Sequence, residues 1–425
     1  MMEIEMRMLR ERSVSRRKLL LVSLLGSLGV VAATYGAALL LLKRGESPVP
    51  QDPPPLRGLD GRFTVVDLPH SGVVQCLAFS PDGKYLVAGS QETGIGYRVK
   101  WEGDLKVWDV ASKAEVKSLR FPQWVLTVSF SPDGKLLAIA CASKNVAAPP
   151  GHLGYVPRPG QVKVFDFPAM REKLSLDFEP HVESAYFSPD GKKLAVVRTC
   201  KQDTYGPAEA MILDVDNPEQ KVVLPTAWAL PAVAFSPDGT ELLVGDYNQR
   251  QRYQSTIKVY ETATGKYRFT VGSKLQPGHQ MEVTRDGILV LVETGALSFY
   301  DYRNNKDVPA LQKQLYRWLP PRSGACVRWV ALSADKRYLL ATAGKGRRSQ
   351  TARVLLEDFK TGEFVTVFHD PGLEVELTPC ALAPDARTFA VGTDFFRGLG
   401  GKEDDPMRGH VLLFQRKAPG VHANP

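Results

Sequence analysis

Seven times along the chain an alternating run of apolar and polar positions enters the same kind of turn, and a second apolar run leaves it. In the first copy Val74-Gln75-Cys76-Leu77-Ala78-Phe79 leads into Ser80-Pro81-Asp82-Gly83-Lys84, and Tyr85-Leu86-Val87-Ala88-Gly89 follows. Period-two alternation predicts strands, and two such strands about a Pro-Asp-Gly turn predict a β-hairpin. Proline presets φ at the first central position, and glycine tolerates a positive φ. Asp82, Asp133, Asp190 and Asp238 recur in these turns, so they read as turn formers rather than general acids or bases.

The turn returns as Phe130-Ser131-Pro132-Asp133-Gly134, Phe187-Ser188-Pro189-Asp190-Gly191 and Phe235-Ser236-Pro237-Asp238-Gly239. Three decayed copies follow, at Val283-Thr284-Arg285-Asp286-Gly287, Leu332-Ser333-Ala334-Asp335-Lys336 and Leu382-Ala383-Pro384-Asp385-Ala386. The spacings are 51, 57, 48, 48, 49 and 50 residues. A third apolar strand follows each hairpin, the first at Leu105 to Val110, and a more polar fourth leads on, as at Glu115 to Arg120. Four antiparallel strands repeated seven times predict an all-β fold, a seven-bladed β-propeller over residues 61–415. The last copy ends after its third strand. The missing fourth stands at the front, as Arg62-Phe63-Thr64-Val65-Val66, so the N-terminal strand is expected to complete blade seven and leave no open edge.

Blade one resembles the WD-repeat family. His70-Ser71-Gly72-Val73-Val74, Phe79 to Gly83, Gly89-Ser90 and Leu105-Lys106-Val107-Trp108-Asp109 match its pattern. The resemblance implies that His70, Ser90 and Trp108 belong to a structural hydrogen-bond tetrad, with Glu102 near the slot for its aspartate. In other blades the Trp108 position holds Phe165, Leu213, Tyr260 or Tyr300 and the loop histidine is mostly lost, as in the looser bacterial repeats of TolB-like propellers. A WD-repeat fold implies a scaffold for protein interaction, but it names no ligand.

Charge and hydropathy change the picture at the N-terminus. Leu19 to Leu42 is a 24-residue run without a charge. As a helix it extends about 36 Å, enough for a hydrocarbon core of roughly 30 Å. Arg7, Arg10, Arg12, Arg16, Arg17 and Lys18 precede it, and only Lys43 and Arg44 follow closely. The positive-inside rule then keeps a basic arm, residues 1–18, in the cytoplasm and places the propeller outside it. Ser15-Arg16-Arg17-Lys18-Leu19-Leu20 resembles a twin-arginine export signal, although the apolar run is longer than a cleavable signal and reads as a retained signal anchor. Five prolines between Pro48 and Pro55 make residues 43–60 a semi-extended linker, and 416–425 reads as a disordered tail. The absence of any Asn-x-Ser/Thr sequon favours a bacterial envelope. Of the net charge of +8, residues 1–44 supply +5, so the propeller has no nucleic-acid footprint.

Between the repeat Phe and the Trp position the chain has 29 residues in blade one, 35 in blade two and 32 in blade seven, against 17 in blade five. These insertions fall between second and third strands and therefore on one face. They carry Tyr97, Trp101, Tyr155, Arg158, Tyr205, Tyr247, Arg250, Arg252, Arg347, Arg348, Phe395 and Arg397, the residue types that anchor interfaces. A protein-binding rim is the leading reading. The alternatives are a lactonase-like or quinoprotein-like propeller enzyme, and a glycan-binding protein using Trp101 and Tyr155. No nucleophile motif accompanies the seven histidines, of which His70, His181, His279 and His369 are expected loosely near the channel mouth. The five cysteines form no CxxC and read as buried apolar residues, so neither metal nor cofactor is called for.

Overall fold

The repeated hairpins build what their patterning dictates. Each Ser-Pro-Asp-Gly turn closes on itself: Ser80 Oγ donates to Asp82 Oδ1 at 2.6 Å, and Asp82 Oδ1 accepts the Lys84 amide at 3.1 Å. The same serine–aspartate bond recurs at Ser131–Asp133, Ser188–Asp190, Ser236–Asp238 and Ser333–Asp335. The turn aspartates are thus bound up in backbone geometry, as expected from their position. Hydrogen bonding to Ser236, then to Thr240, holds the Asp238 carboxyl down at about 2.

The computed structural model describes residues 59–92, 102–142, 144–147, 155–179, 181–199, 208–226, 229–248, 254–271, 280–293, 296–308, 326–333, 335–344, 352–370, 377–393 and 409–417. Their regular structure is all strand: seven four-stranded antiparallel sheets, and one hairpin pairing Lys144–Ala147 with Tyr155–Arg158. Blade one comprises Val73–Phe79, Tyr85–Gln91, Gly103–Asp109 and Glu115–Phe121, inside to outside. The inner strands of blades two to seven are Val125–Phe130, His181–Phe187, Ala229–Phe235, Gln280–Val283, Cys326–Leu332 and Leu377–Leu382. The expected span at 19–42 lies outside the described residues, among which no helix is long and apolar enough to cross a membrane.

Blade seven closes as the sequence predicts. Its outermost strand is Phe63–Pro69, antiparallel to His410–Arg416 in an unbroken register from Phe63↔Arg416 to Pro69↔His410. Phe63 is buried and meets Phe389 edge-on at 5.8 Å, while Phe389 stacks on Phe414 at 4.9 Å. On the same seam His410 Nδ1 lies 2.9 Å from both Asp67 carboxylate oxygens. Just upstream the chain lies along the outer strand of blade six, with Leu59 bridged to Phe368 and the Asp60 amide donating to the Val367 carbonyl at 2.9 Å. Residue 59 therefore reaches the ring beside its own seam.

The core is not one body but seven clusters, one in each gap between neighbouring blades. Val107 and Phe121 of blade one meet Ile139 and Phe165 of blade two, for example. Leu68, Val411 and Leu413 of blade seven meet Val74, Leu86 and Trp108 of blade one, so the gap across the seam is filled like the others. At the turns a second contact joins the blades. Gly134 (φ +70°) packs on Pro81, Gly191 (φ +72°) on Pro132, Gly239 (φ +70°) on Pro189 and Gly83 (φ +72°) on Pro384. Positive φ suits glycine, and a Cβ on Gly191 would lie 3.1 Å from Pro132 Cδ.

Between blades four and five that contact is replaced by a polar latch. The buried Tyr302 hydroxyl donates to Glu241 Oε2 at 2.8 Å and accepts from Arg303 Nε at 3.0 Å. Arg303 also reaches Asp238 at 3.3 Å, and Arg268 reaches Glu241 Oε1 at 3.4 Å. A charge-assisted hydrogen bond to a buried carboxylate contributes about 1.5–3 kcal/mol, against about 1 kcal/mol for a neutral one. Tyr302→Phe should therefore lower the unfolding free energy by more than Tyr260→Phe, whose hydroxyl only donates to the Pro225 carbonyl at 3.2 Å. Denaturant melts of the two variants check this; an equal or reversed order would show that the latch adds nothing.

Candidate interaction faces

The ends of the strands define two faces. On one, a residue at the end of the third strand bonds back to the residue after the tight turn, as in Val110 N to Lys84 O at 2.8 Å, Phe167 N to Lys135 O at 2.8 Å and Arg416 N to Arg387 O at 2.9 Å. On the other lie the connections between blades and the second-to-third loops, tied by bonds such as Ala142 N to Trp124 O and His70 N to Gly409 O.

Of the expected rim residues, Tyr155, Arg158 and Tyr247 lie among the described residues. Tyr155 and Arg158 open and close one strand of the blade-two hairpin, opposite Ala147 and Lys144, and Tyr247 is paired in register with Ser255 in blade four. Tyr97, Trp101, Tyr205, Arg250, Arg252, Arg347, Arg348, Phe395 and Arg397 lie outside the described residues.

His70, Ser90 and Trp108, the expected tetrad members of blade one, are all buried. His70 and Trp108 are buried, with ring centroids 6.0 Å apart, and His70 Nε2 lies 3.4 Å from the Ala88 carbonyl oxygen. Burial, aided by the charge of Lys106, pushes the His70 imidazole down to about 4, so it is neutral near pH 7. The buried carboxylate beside this group is Asp104. Asp104 is buried, its carboxylate accepts from the Ser71 hydroxyl, and its amide donates to Ser90 Oγ at 3.2 Å. Glu102 instead pairs with Arg120 at 2.6 Å.

Of the four histidines expected near the channel mouth, His181 opens the inner strand of blade three. His70 is packed under Trp108, and His181 lies 3.6 Å from Glu183. His279 lies outside the described residues, and His369 falls on the outer strand of blade six. No group of His, Cys, Asp or Glu suited to a metal ion occurs among the described residues. Cys76, Cys141 and Cys380 are free and buried, as their apolar setting implied.

What the inner strands do enclose is a cavity of about 730 Å³ that reaches the tight-turn face. Its wall repeats the column before each repeat Phe: Ala78, Ser129, Ala234, Ala331 and Ala381, broken by Tyr186 and Glu282. At the mouth stand the turn prolines, with Arg285 in place of proline in blade five and Lys336 in place of glycine in blade six. Lys336 reaches Glu282 at 3.3 Å. Sequence reading treated these turns as decayed copies and passed over both substitutions.

Comparison with known proteins agrees with this architecture. The family model described as "WD domain, G-beta repeat" matches residues 63–109 and 114–147. Each match begins on the outermost strand of one blade and runs into the next, so the sequence repeat is offset from the blade by one strand. No curated protein matches the chain. Among solved structures it is similar to the Myceliophteria thermophila Cps50 (Swd1) β-propeller domain, at 15% identity and TM-score 0.54, covering 82% of this chain and 98% of that one. It is also similar to a chain of the Mitotic Checkpoint Complex, at 13% identity and TM-score 0.55, covering 88% of this chain and 97% of that one. Likeness at this level shows the fold alone.

Proposed function

We propose that this WD-type propeller is a non-enzymatic interaction platform, tethered to a membrane by residues 19–42 and receiving a protein partner on its insertion face. One observation carries the reading: a ring stitched in every blade gap supports unequal second-to-third loops, with those of blades one, two and seven far longer than blade five's. A rigid scaffold with variable loops on one face is where recognition evolves, because loop changes there leave the core intact. The orientation follows the charge asymmetry around the apolar run, with the basic arm cytoplasmic and the propeller in the envelope outside.

Replacing residues 143–158 and 394–408 with short Gly-Ser turns tests the platform in pull-downs from solubilised membranes. Partners retained by the native chain should be lost from the doubly shortened one. Retention of all of them would overturn the proposal. Protease added to intact spheroplasts should degrade the propeller while sparing the first residues of the chain; full protection would overturn the orientation.

A further inference from the structure

We propose that the cavity on the tight-turn face is a second binding site, taking a small organic anion with an apolar body. It opens on the face opposite the insertions and is independent of the partner surface. Its volume, about 730 Å³, lies within the usual range for small-molecule sites, roughly 300–1,000 Å³. Alanines, the turn prolines and the repeat phenylalanines contribute apolar wall that suits an apolar body.

Two groups on that wall point to the polar end of the ligand. Tyr186 stands where the other blades have alanine, serine or Glu282, and its hydroxyl has no hydrogen-bond partner among the described residues. A phenol on this wall is free to donate to a group held in the cavity. The second group is Arg285. Of the other charged groups lining the cavity, Glu282 pairs with Lys336 at 3.3 Å, and Asp335 accepts from the neutral donors Ser333 Oγ at 2.5 Å and the Arg337 amide at 3.1 Å. Arg285 is exposed at the mouth and has no ion-pair partner among the described residues, and its turn neighbour Asp286 does not line the cavity. The lining charges balance, Arg285 and Lys336 against Glu282 and Asp335, and Arg285 is the lining cation without an ion-pair partner among the described residues, with a phenol deeper in. A carboxylate held by Arg285, with an aromatic or aliphatic body below it, satisfies each feature.

The blade-five turn also supplies its own control. Four of the turns hold a Ser-Pro pair, and Pro384 occupies the place in blade seven, so Arg285→Pro restores the common residue while removing the charge. The test is a ligand-observed NMR titration of the full chain with biphenylcarboxylate and, in parallel, the neutral biphenylcarboxamide. The carboxylate should bind at least tenfold more tightly than the amide. Arg285→Pro and Arg285→Ala should each weaken the carboxylate about tenfold and leave the amide unchanged. Tyr186→Phe should weaken it severalfold. No binding of either probe, equal binding of carboxylate and amide, or carboxylate affinity unaffected by both Arg285 variants would each overturn the proposal. Should both Arg285 variants fail to fold, Tyr186→Phe and the carboxylate–amide pair decide it alone.

Discussion

Phe63→Ala should lower the unfolding free energy of the propeller by about 3–5 kcal/mol, the usual cost of emptying a buried phenylalanine site. Phe63 is 2% exposed, and it packs at the start of the strand that closes blade seven, against the stacked pair Phe389 and Phe414. Removing the ring leaves a cavity in the cluster between blades six and seven, where Val354, Val367 and Leu412 also pack. Phe121 is a matched control. It is 6% exposed, at the end of the outermost strand of blade one, and sits in the cluster between blades one and two. Phe121→Ala removes the same side chain without touching the seam. In denaturant unfolding followed by tryptophan fluorescence, Phe63→Ala should also lose cooperativity, because the seam is where the ring can open. A loss below about 1 kcal/mol for Phe63→Ala would show that the N-terminal strand is dispensable.

A carboxylate buried without a partner makes the second large effect. Glu357 is 1% exposed in the third strand of blade six, in register with Leu339 on one side and Phe364 on the other, and neither carboxylate oxygen has a hydrogen-bond partner. Burial alone pushes its carboxyl up to about 7 from an ordinary 4.5. The folded chain therefore holds this proton more tightly than the unfolded chain does. Its contribution is complete below pH 4.5 and is lost as pH rises through about 7, after which the penalty is constant at roughly 3 kcal/mol. Glu357→Gln should flatten stability across that window, and Glu357→Leu should raise stability at pH 8 by about 2–3 kcal/mol. Denaturant midpoints at pH 5 and pH 8 decide it. A native chain and a Glu357→Gln variant that change in parallel between the two pH values would rule out the ionisation of Glu357 as the cause.

The fold could be read from the chain because its local signals repeat. Every Ser-Pro-Asp-Gly turn specifies its own hairpin through bonds within five residues, as Ser80, Asp82 and Tyr85 show. Even the closure was legible, since a surplus strand at the front matched a deficit at the back. The features that define sites were less so. Tyr186 and Glu282 stand out only once seven inner strands are aligned around one axis, because their significance lies in what the other blades put in that column. Glu357 looks like an ordinary charged strand residue until the neighbouring blade covers it. The Glu241–Tyr302–Arg303 latch joins residues 61 apart, a pairing with no local signature.

The seam also sets a timetable. Thr64 bonds to Gln415, 351 residues later in the chain. At about 5–20 residues per second, the ribosome delivers that partner some 20–70 s after the first strand has emerged. Throughout that interval the earliest strand has nothing to pair with, while blades one to six acquire theirs in order. The ring thus becomes whole only once His410–Arg416 has been made, and a chain truncated before residue 410 leaves Phe63–Pro69 without its match.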